Sequence, residues 1–264
     1  MIIWLTYIGL GAVAGLLAGL LGVGGGIVIV PMLKFTFAAQ HVPAEHIQHL
    51  ALGTSLATIV VTSISSFMAH HSKGGVNWSA VRHITPGIFF GTFIGSTVAA
   101  RLSGSFLTWF FAGFTFLVAW QMLLDAKPHS SRQLPGVAGF FGTGTVIGGI
   151  SSLVGIGGGT MSVPFLIWCN QPARIAIGTS AAIGFPIALS GAAGYFFNGM
   201  GVSGLPQYSA GFVYLPALIG IATTSYLTAP LGAKLAHKLP VSKLKKGFAV
   251  LLIATGLKMV YGLL

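Results

Sequence analysis

Long uncharged apolar stretches alternate with short polar breaks along this chain. Residues 2–33 carry no charge, and further uncharged runs follow at 50–69, 84–100, 102–124, 133–173 and 175–233. A last apolar run, 247–264, is interrupted only by Lys258. A hydrocarbon core about 30 Å thick is crossed by about 20 apolar residues of helix, so each run holds at least one crossing and the longest holds more than two. Backbone polar groups inside lipid must be satisfied within their own segment, which makes helices the expected element for runs of this length. The alternation of a membrane barrel is missing. No positive residue precedes the first run, so it is expected to be the first membrane helix and not a cleaved leader.

The pattern repeats itself. Residues 11–33 align with 144–166 without gaps, identical at 11 of 23 positions. The shared core is Gly22-Val23-Gly24-Gly25-Gly26 followed by Pro31, matched by Gly155-Ile156-Gly157-Gly158-Gly159 followed by Pro164. Ala51-Leu52-Gly53-Thr54-Ser55 likewise matches Ala176-Ile177-Gly178-Thr179-Ser180, and Gly95 and Gly232 fall in similar helices ending in Arg101 and Lys238. Each half therefore holds about five segments, the second one short (27–39, and 160 to about 169). The expected fold is all-α: a polytopic transmembrane helical bundle of two repeats, 1–125 and 126–264, meeting in the polar stretch 125–133. All ten segments cross, or about eight if the short pair is re-entrant.

Basic residues orient the repeats. With an odd number of crossings per half, Lys73, Arg82, Lys127, Arg132, Arg174, Lys234, Lys238, Lys243, Lys245 and Lys246 share one side, leaving Lys34, Arg101 and Lys258 on the other, a split of 10 to 3. An even number gives at best 8 to 5. The positive-inside rule therefore favours inverted repeats with both termini outside.

Composition narrows the class. The chain is 54% hydrophobic and 6% charged, against about 25% charged in a soluble domain, so a water-facing surface is excluded. The apolar content excludes disorder. The 39 glycines follow no Gly-x-y period, which excludes collagen. The net charge of +11 comes from scattered basic residues set against only Glu45 and Asp125, a membrane pattern and not a nucleic-acid one. The single cysteine, Cys169, excludes an internal disulfide and is expected to pack as a small apolar residue.

The doubled glycine turn carries the candidate chemistry. Glycine permits positive φ and close backbone approach. Each turn opens into a short helix, whose unpaired N–H groups and positive dipole end then face the turn. Two such ends meeting on a pseudo-twofold axis would form an anion site, in the manner of transporters with interrupted helices. The candidate substrate-binding residues are Gly22, Gly24, Gly25, Gly26, Gly155, Gly157, Gly158 and Gly159, with Thr54, Ser55, Ser151, Ser152, Thr179 and Ser180 as nearby hydroxyls. Glycine elsewhere in a membrane helix serves close packing, and the Gly-Thr-Ser pairs could pack or bond to their own helix. A nucleotide fingerprint is disfavoured because no Lys-Ser/Thr follows and no strand precedes.

These paired Gly-x-Gly-Gly-Gly turns with downstream proline, the Gly-Thr-Ser segments, the duplication and the length resemble the TauE/SafE sulfite exporter family, also called the toluene sulfonate uptake permeases. The resemblance spans essentially the whole chain. It implies a bacterial inner-membrane transporter of small sulfur-containing or organic anions such as sulfite, thiosulfate or sulfonates. Cargo and direction are not settled by it.

Other residues are less telling. No membrane segment holds Asp or Glu, so a carboxylate proton relay is not available. His46 and His49, spaced i,i+3 near His41, and the adjacent His70 and His71 leave a transition-metal permease as one alternative; loop histidines are expected to be solvated. A non-transporting assembly factor is another. No nucleophile–base–acid set suggests an enzyme, and no cofactor or metal is expected. Trp4, Trp78, Trp109, Trp120 and Trp168 read as interfacial anchors, and Lys243, Lys245 and Lys246 as a basic loop on anionic lipid. Lys34 and Arg101 are expected to snorkel. The expected partners are the anion and the bilayer, not nucleic acid, and a homo-oligomer is compatible with the sequence.

Overall fold

The computed structural model describes residues 2–22, 24–124, 133–236 and 241–262. The repeat boundary at 125/126, and Lys127, Arg132 and Lys238, lie outside the described residues, as do the side chains of Lys243, Lys245 and Lys246. Ten helices are described: α1 (Ile2–Leu21), α2 (Gly26–Ala39), α3 (Ala44–His71), α4 (Trp78–Ala99), α5 (Gly104–Leu123), α6 (Val137–Val154), α7 (Gly159–Trp168), α8 (Ala173–Asn198), α9 (Leu215–Ala236) and α10 (Val241–Tyr261). Five of them, α1, α3, α5, α6 and α8, have the length and apolarity to cross a membrane. The second helix of each half is short, 14 and 10 residues, or about 21 and 15 Å at 1.5 Å per residue, less than the core thickness.

Helices overrun the uncharged runs. α3 begins at Ala44 and carries Glu45, His46 and His49 in its opening turns, and α4 begins at Trp78 and carries Arg82 and His83. Absence of charge marks where the chain meets hydrocarbon, whereas the helix continues into the interface. A small antiparallel hairpin, β1 (Ser209–Ala210) with β2 (Val213–Tyr214), joins α8 to α9 inside what the sequence shows only as an apolar run.

The packing is symmetric under exchange of the two halves. α1 lies on α9 as α6 lies on α4; α3 contacts α9 as α8 contacts α4; α2 contacts α3 as α7 contacts α8. The equivalent pairs α3/α8 and α5/α10 pack on one another. α3 and α8 run antiparallel: a Cβ on Gly53, early in α3, would meet Tyr195 near the end of α8 at 2.9 Å, and one on Gly178, early in α8, would meet His70 near the end of α3 at 3.0 Å.

Small residues allow this closeness. Gly11, Gly15 and Gly19 of α1 back onto Ile221, Ser225 and Ala229 of α9, and Gly144 and Gly148 of α6 back onto Ile84 and Ile88 of α4, with no room for a side chain. In lipid there is little hydrophobic drive between helices, so backbone-to-backbone contact supplies the cohesion. Apolar side chains face outward, among them Phe89, Phe90, Phe93, Leu117, Trp120 and Leu227. Such a surface needs hydrocarbon to cover it. All five tryptophans belong to this exposed set.

Candidate functional site

Gly22 and Gly155 end α1 and α6 with φ of 68° and 70°, and Gly25 and Gly158 precede α2 and α7 with φ of 78° and 74°. Only glycine takes this left-handed backbone without a steric penalty. The chain thereby reverses twice within a few residues and starts a new helix.

The two turns touch at the middle of the bundle. A Cβ on Gly24 would lie 3.3 Å from Gly157 Cα, and one on Gly26 would press on Gly155 O and lie 3.0 Å from Ile156 Cα. Neither α2 nor α7 has a side-chain N-cap. Gly25 O accepts from the amides of Val28 and Ile29 at 3.0 and 3.1 Å, and Gly158 O from Met161 and Ser162 at 3.0 and 2.8 Å. The amides ahead of these, on Gly26 and Ile27 and on Gly159 and Thr160, find no acceptor among the described residues. All four residues are buried. An unpaired buried donor costs about 1–3 kcal/mol, and two positive helix ends abut here. Glu45, the only acid among the described residues, is exposed and lies 3.3 Å from His46 Nε2, so no carboxylate among the described residues compensates them.

The Gly-Thr-Ser segments brace this centre across the repeats. Ser55 Oγ donates to Gly155 O at 2.8 Å, and Ser180 Oγ donates to Gly22 O at 3.2 Å. Thr54 Oγ1 accepts from the Tyr214 amide at 2.9 Å, and Thr179 Oγ1 from the Asn77 amide at 2.8 Å. Gly53 and Gly178 leave space for the carbonyls of Phe212 and Gly75. Each triplet thus holds a loop carbonyl, the amide two residues on, and the glycine turn, all in the other half. Within each half, His70 Nε2 and Tyr195 OH, at equivalent positions, bond to Gly19 O at 3.1 Å and Ser152 O at 3.0 Å.

The candidate residues therefore divide. All the described turn glycines, with Ser55 and Ser180, meet at the centre. Ser151 Oγ lies 3.4 Å from where a Cβ on Gly158 would be. Thr54 and Thr179 point instead to the loops. Ser152 turns toward α4: its hydroxyl donates to Gly149 O at 2.7 Å and covers Gly95. Three further residues belong to the site. Thr160 and Ser162 stand in α7 where the aligned first half has Ile27 and Ile29, and Ser162 Oγ hydrogen-bonds with Ser180 Oγ at 2.7 Å. Gly184 stands where the first half has Ile59. Ile59 packs on Gly24 and Gly26, but beside Gly184 the nearest atoms to a Cβ would be Gly157 O at 3.2 Å and Ser63 Cβ at 3.8 Å. The site is thus covered by the Ile59 side chain on one side, and bare of a side chain at Gly184 and more hydroxylated on the other. The same ungapped alignment that reveals the turns carries these substitutions.

The remaining polar residues hold the scaffold. His49 is buried, not solvated: its Nε2 lies 3.1 Å from both Ala99 O and Leu102 O, and its ring stacks on Phe212. His46 Nε2 lies 3.1 Å from Ser203 O. No group of three metal-ligating side chains occurs among the described residues. Lys34 does not snorkel free; its Nζ donates to Thr108 Oγ1 at 3.0 Å, because α2 packs inside the bundle. Cys169 is buried.

Comparison with known proteins agrees with this architecture. Residues 7–259 match the family described as sulfite exporter TauE/SafE. A "probable membrane transporter protein" of Haemophilus influenzae is 42% identical over 251 residues, covering 94% of this chain and 95% of its own. The "probable membrane transporter protein YunE" of Bacillus subtilis is 28% identical, covering 96% and 95%. A protein of the same description from Methanocaldococcus jannaschii is 29% identical, covering 94% and 92%. No solved structure matches the chain. The chain belongs to the sulfite exporter TauE/SafE family and is a multi-pass membrane protein, and its family and relatives make it a membrane transporter.

Proposed function

We propose that this member of the TauE/SafE family moves small anions, sulfur oxyanions or organic sulfonates, across the membrane by alternating access. The observation that carries this is the pair of uncapped, buried helix N-termini abutting at the centre of the bundle. Their free amides and positive dipole ends recognise a small anion without any charged side chain. A site built this way releases its guest easily, because no full countercharge must be left behind. The substrate sits on the Gly184 side, with Thr160 and Ser162 hydroxyls adjoining the amides of α7.

The two halves act as inverted repeats that rock against each other around this point. Exchange-symmetric packing and the antiparallel α3/α8 pair support that arrangement. The basic-residue split favours an orientation in a bacterial inner membrane with Lys73, Arg82, Arg174 and Lys234 on the cytoplasmic face and both termini periplasmic.

Purified protein in liposomes should take up labelled sulfite, thiosulfate or a short sulfonate saturably, and the anion that is carried should raise Tm progressively with its concentration above its dissociation constant. Absence of flux and of stabilisation for all such anions, with copurification of a specific protein, would instead identify an assembly factor.

A further inference from the structure

A second feature lies away from the turns. Where α3 and α9 end together, a cavity of about 340 Å³ is lined by Ser65, Ser72, Lys73, Tyr226, Pro230 and Lys234, with two apolar neighbours. Both lysines are exposed. Arg174 donates from its Nη2 to Lys73 O at 2.6 Å, fixing a third cation beside them. No acidic partner meets any of the three among the described residues. A lysine near a helix C-terminus is ordinary on its own. Two opening onto one cavity repel each other, and their shared potential is relieved by an anion.

The other half shows that the fold does not require this. The two Gly-Thr-Ser segments align α3 with α8, and the equal lengths of α4 and α9 align those two helices, with Asn77 and Tyr214 each just ahead bonded to the braces. Lys73 then corresponds to Asn198, and Lys234 to Thr97. At that end Asn198 Nδ2 donates to Thr97 Oγ1 at 3.4 Å, a neutral pair that ties the seam together.

A line of hydroxyls leads inward from the lysine cavity along α3. Ser66, Ser63, Thr62 and Thr58 of α3 are buried along the stretch from Ser65 of the cavity to Ile59, which touches the turn; Thr62 hydrogen-bonds with Ser225 at 2.6 Å, and Ser66 Oγ has no partner. The aligned positions in α8 are Gly191, Ala188, Ile187 and Ile183. Buried polar residues inside membrane segments mark a pathway, and Thr92 and Ser96 of α4 with Ser190 of α8 are buried on the opposite seam.

We propose that the Lys73/Lys234 cavity is an anion vestibule, which collects a small oxyanion at one face of the membrane and passes it along the α3 hydroxyls toward the turns. The passage to the turns rests on the transport role proposed above; the binding at the lysines stands by itself. An acidic lipid headgroup offers the same phosphate-like chemistry, and the experiment separates the two sources.

The test is lysine acylation read by mass spectrometry on the full chain in nanodiscs, with sulfate as the probe. In phosphatidylcholine alone, sulfate at about nine times its dissociation constant should protect Lys73 and Lys234 about tenfold while Lys258 stays reactive. Protection only when phosphatidylglycerol is present, and insensitive to sulfate, would assign the cavity to lipid and overturn the vestibule. Absence of protection under both conditions would overturn it also. In liposomes Lys73→Gln/Lys234→Gln should raise the half-saturating sulfite concentration about tenfold, the loss expected for a charge-assisted contact, with maximal rate kept. Unchanged half-saturation would likewise contradict the proposal. Gly26→Ala should lose flux yet keep lysine protection, so failure of the vestibule and failure of the turn site give different results.

Discussion

Anion flux through Gly26→Ala should fall about 100-fold or more, with the protein still folded and inserted. Gly26 opens α2 and is not in the left-handed region, so alanine suits its backbone and slightly favours the helix. The added methyl has nowhere to go: it meets Gly155 O, Ile59 Cδ1 at 2.9 Å and Ile156 Cα at 3.0 Å. Relief requires the two turns to separate. Displacing a positioned group by about 1 Å costs on the order of 100-fold where geometry carries the function. Liposome flux normalised to protein, with Tm measured beside it, checks this. Gly113→Ala is the control, since nothing lies within 4 Å of its added Cβ. Wild-type flux through Gly26→Ala would place the site elsewhere.

The brace should be the costliest place to remove a hydroxyl. Ser55→Ala strands Gly155 O and Ser180→Ala strands Gly22 O, each buried, at about 1–3 kcal/mol apiece. Because both bonds hold one interface, the double variant should depart from the sum of the singles. Thermal unfolding in detergent should show similar losses for the two single variants. The same comparison applies to Thr54→Val and Thr179→Val, which strand the Tyr214 and Asn77 amides. Losses confined to one half would show that the two braces are not mechanically equivalent.

Much of this was visible in the chain itself. Ten segments, the short second member of each half, and the turns follow from charge-free runs and an ungapped internal match. The turns were legible because three glycines in a row before a helix, twice, leave few backbone solutions. What the two Gly-Thr-Ser segments hold was not legible. Ser55 reaches a carbonyl 100 residues away, and local pattern says nothing of partners that distant. His49 reads as a surface histidine because its neighbours are polar, yet α4 ends on top of it and buries it. The hairpin at Ser209–Tyr214 is hidden because residues 175–233 form one charge-free run, and absence of charge alone does not separate a glycine- and serine-rich strand pair from helix. The lopsidedness of the site was present in the alignment as Ile27/Thr160 and Ile29/Ser162; it is the structure that puts Thr160 and Ser162 next to the turns.

The most direct measurement is amide NMR of glycine-labelled protein in nanodiscs, titrated with the transported anion. Hydrogen bonding to an anion should move the Gly26 and Gly159 amide protons downfield and saturably, at concentrations that half-saturate flux, while Gly113 stays in place. Flux that saturates while Gly26 and Gly159 do not shift would contradict an anion held by the opposed ends of α2 and α7.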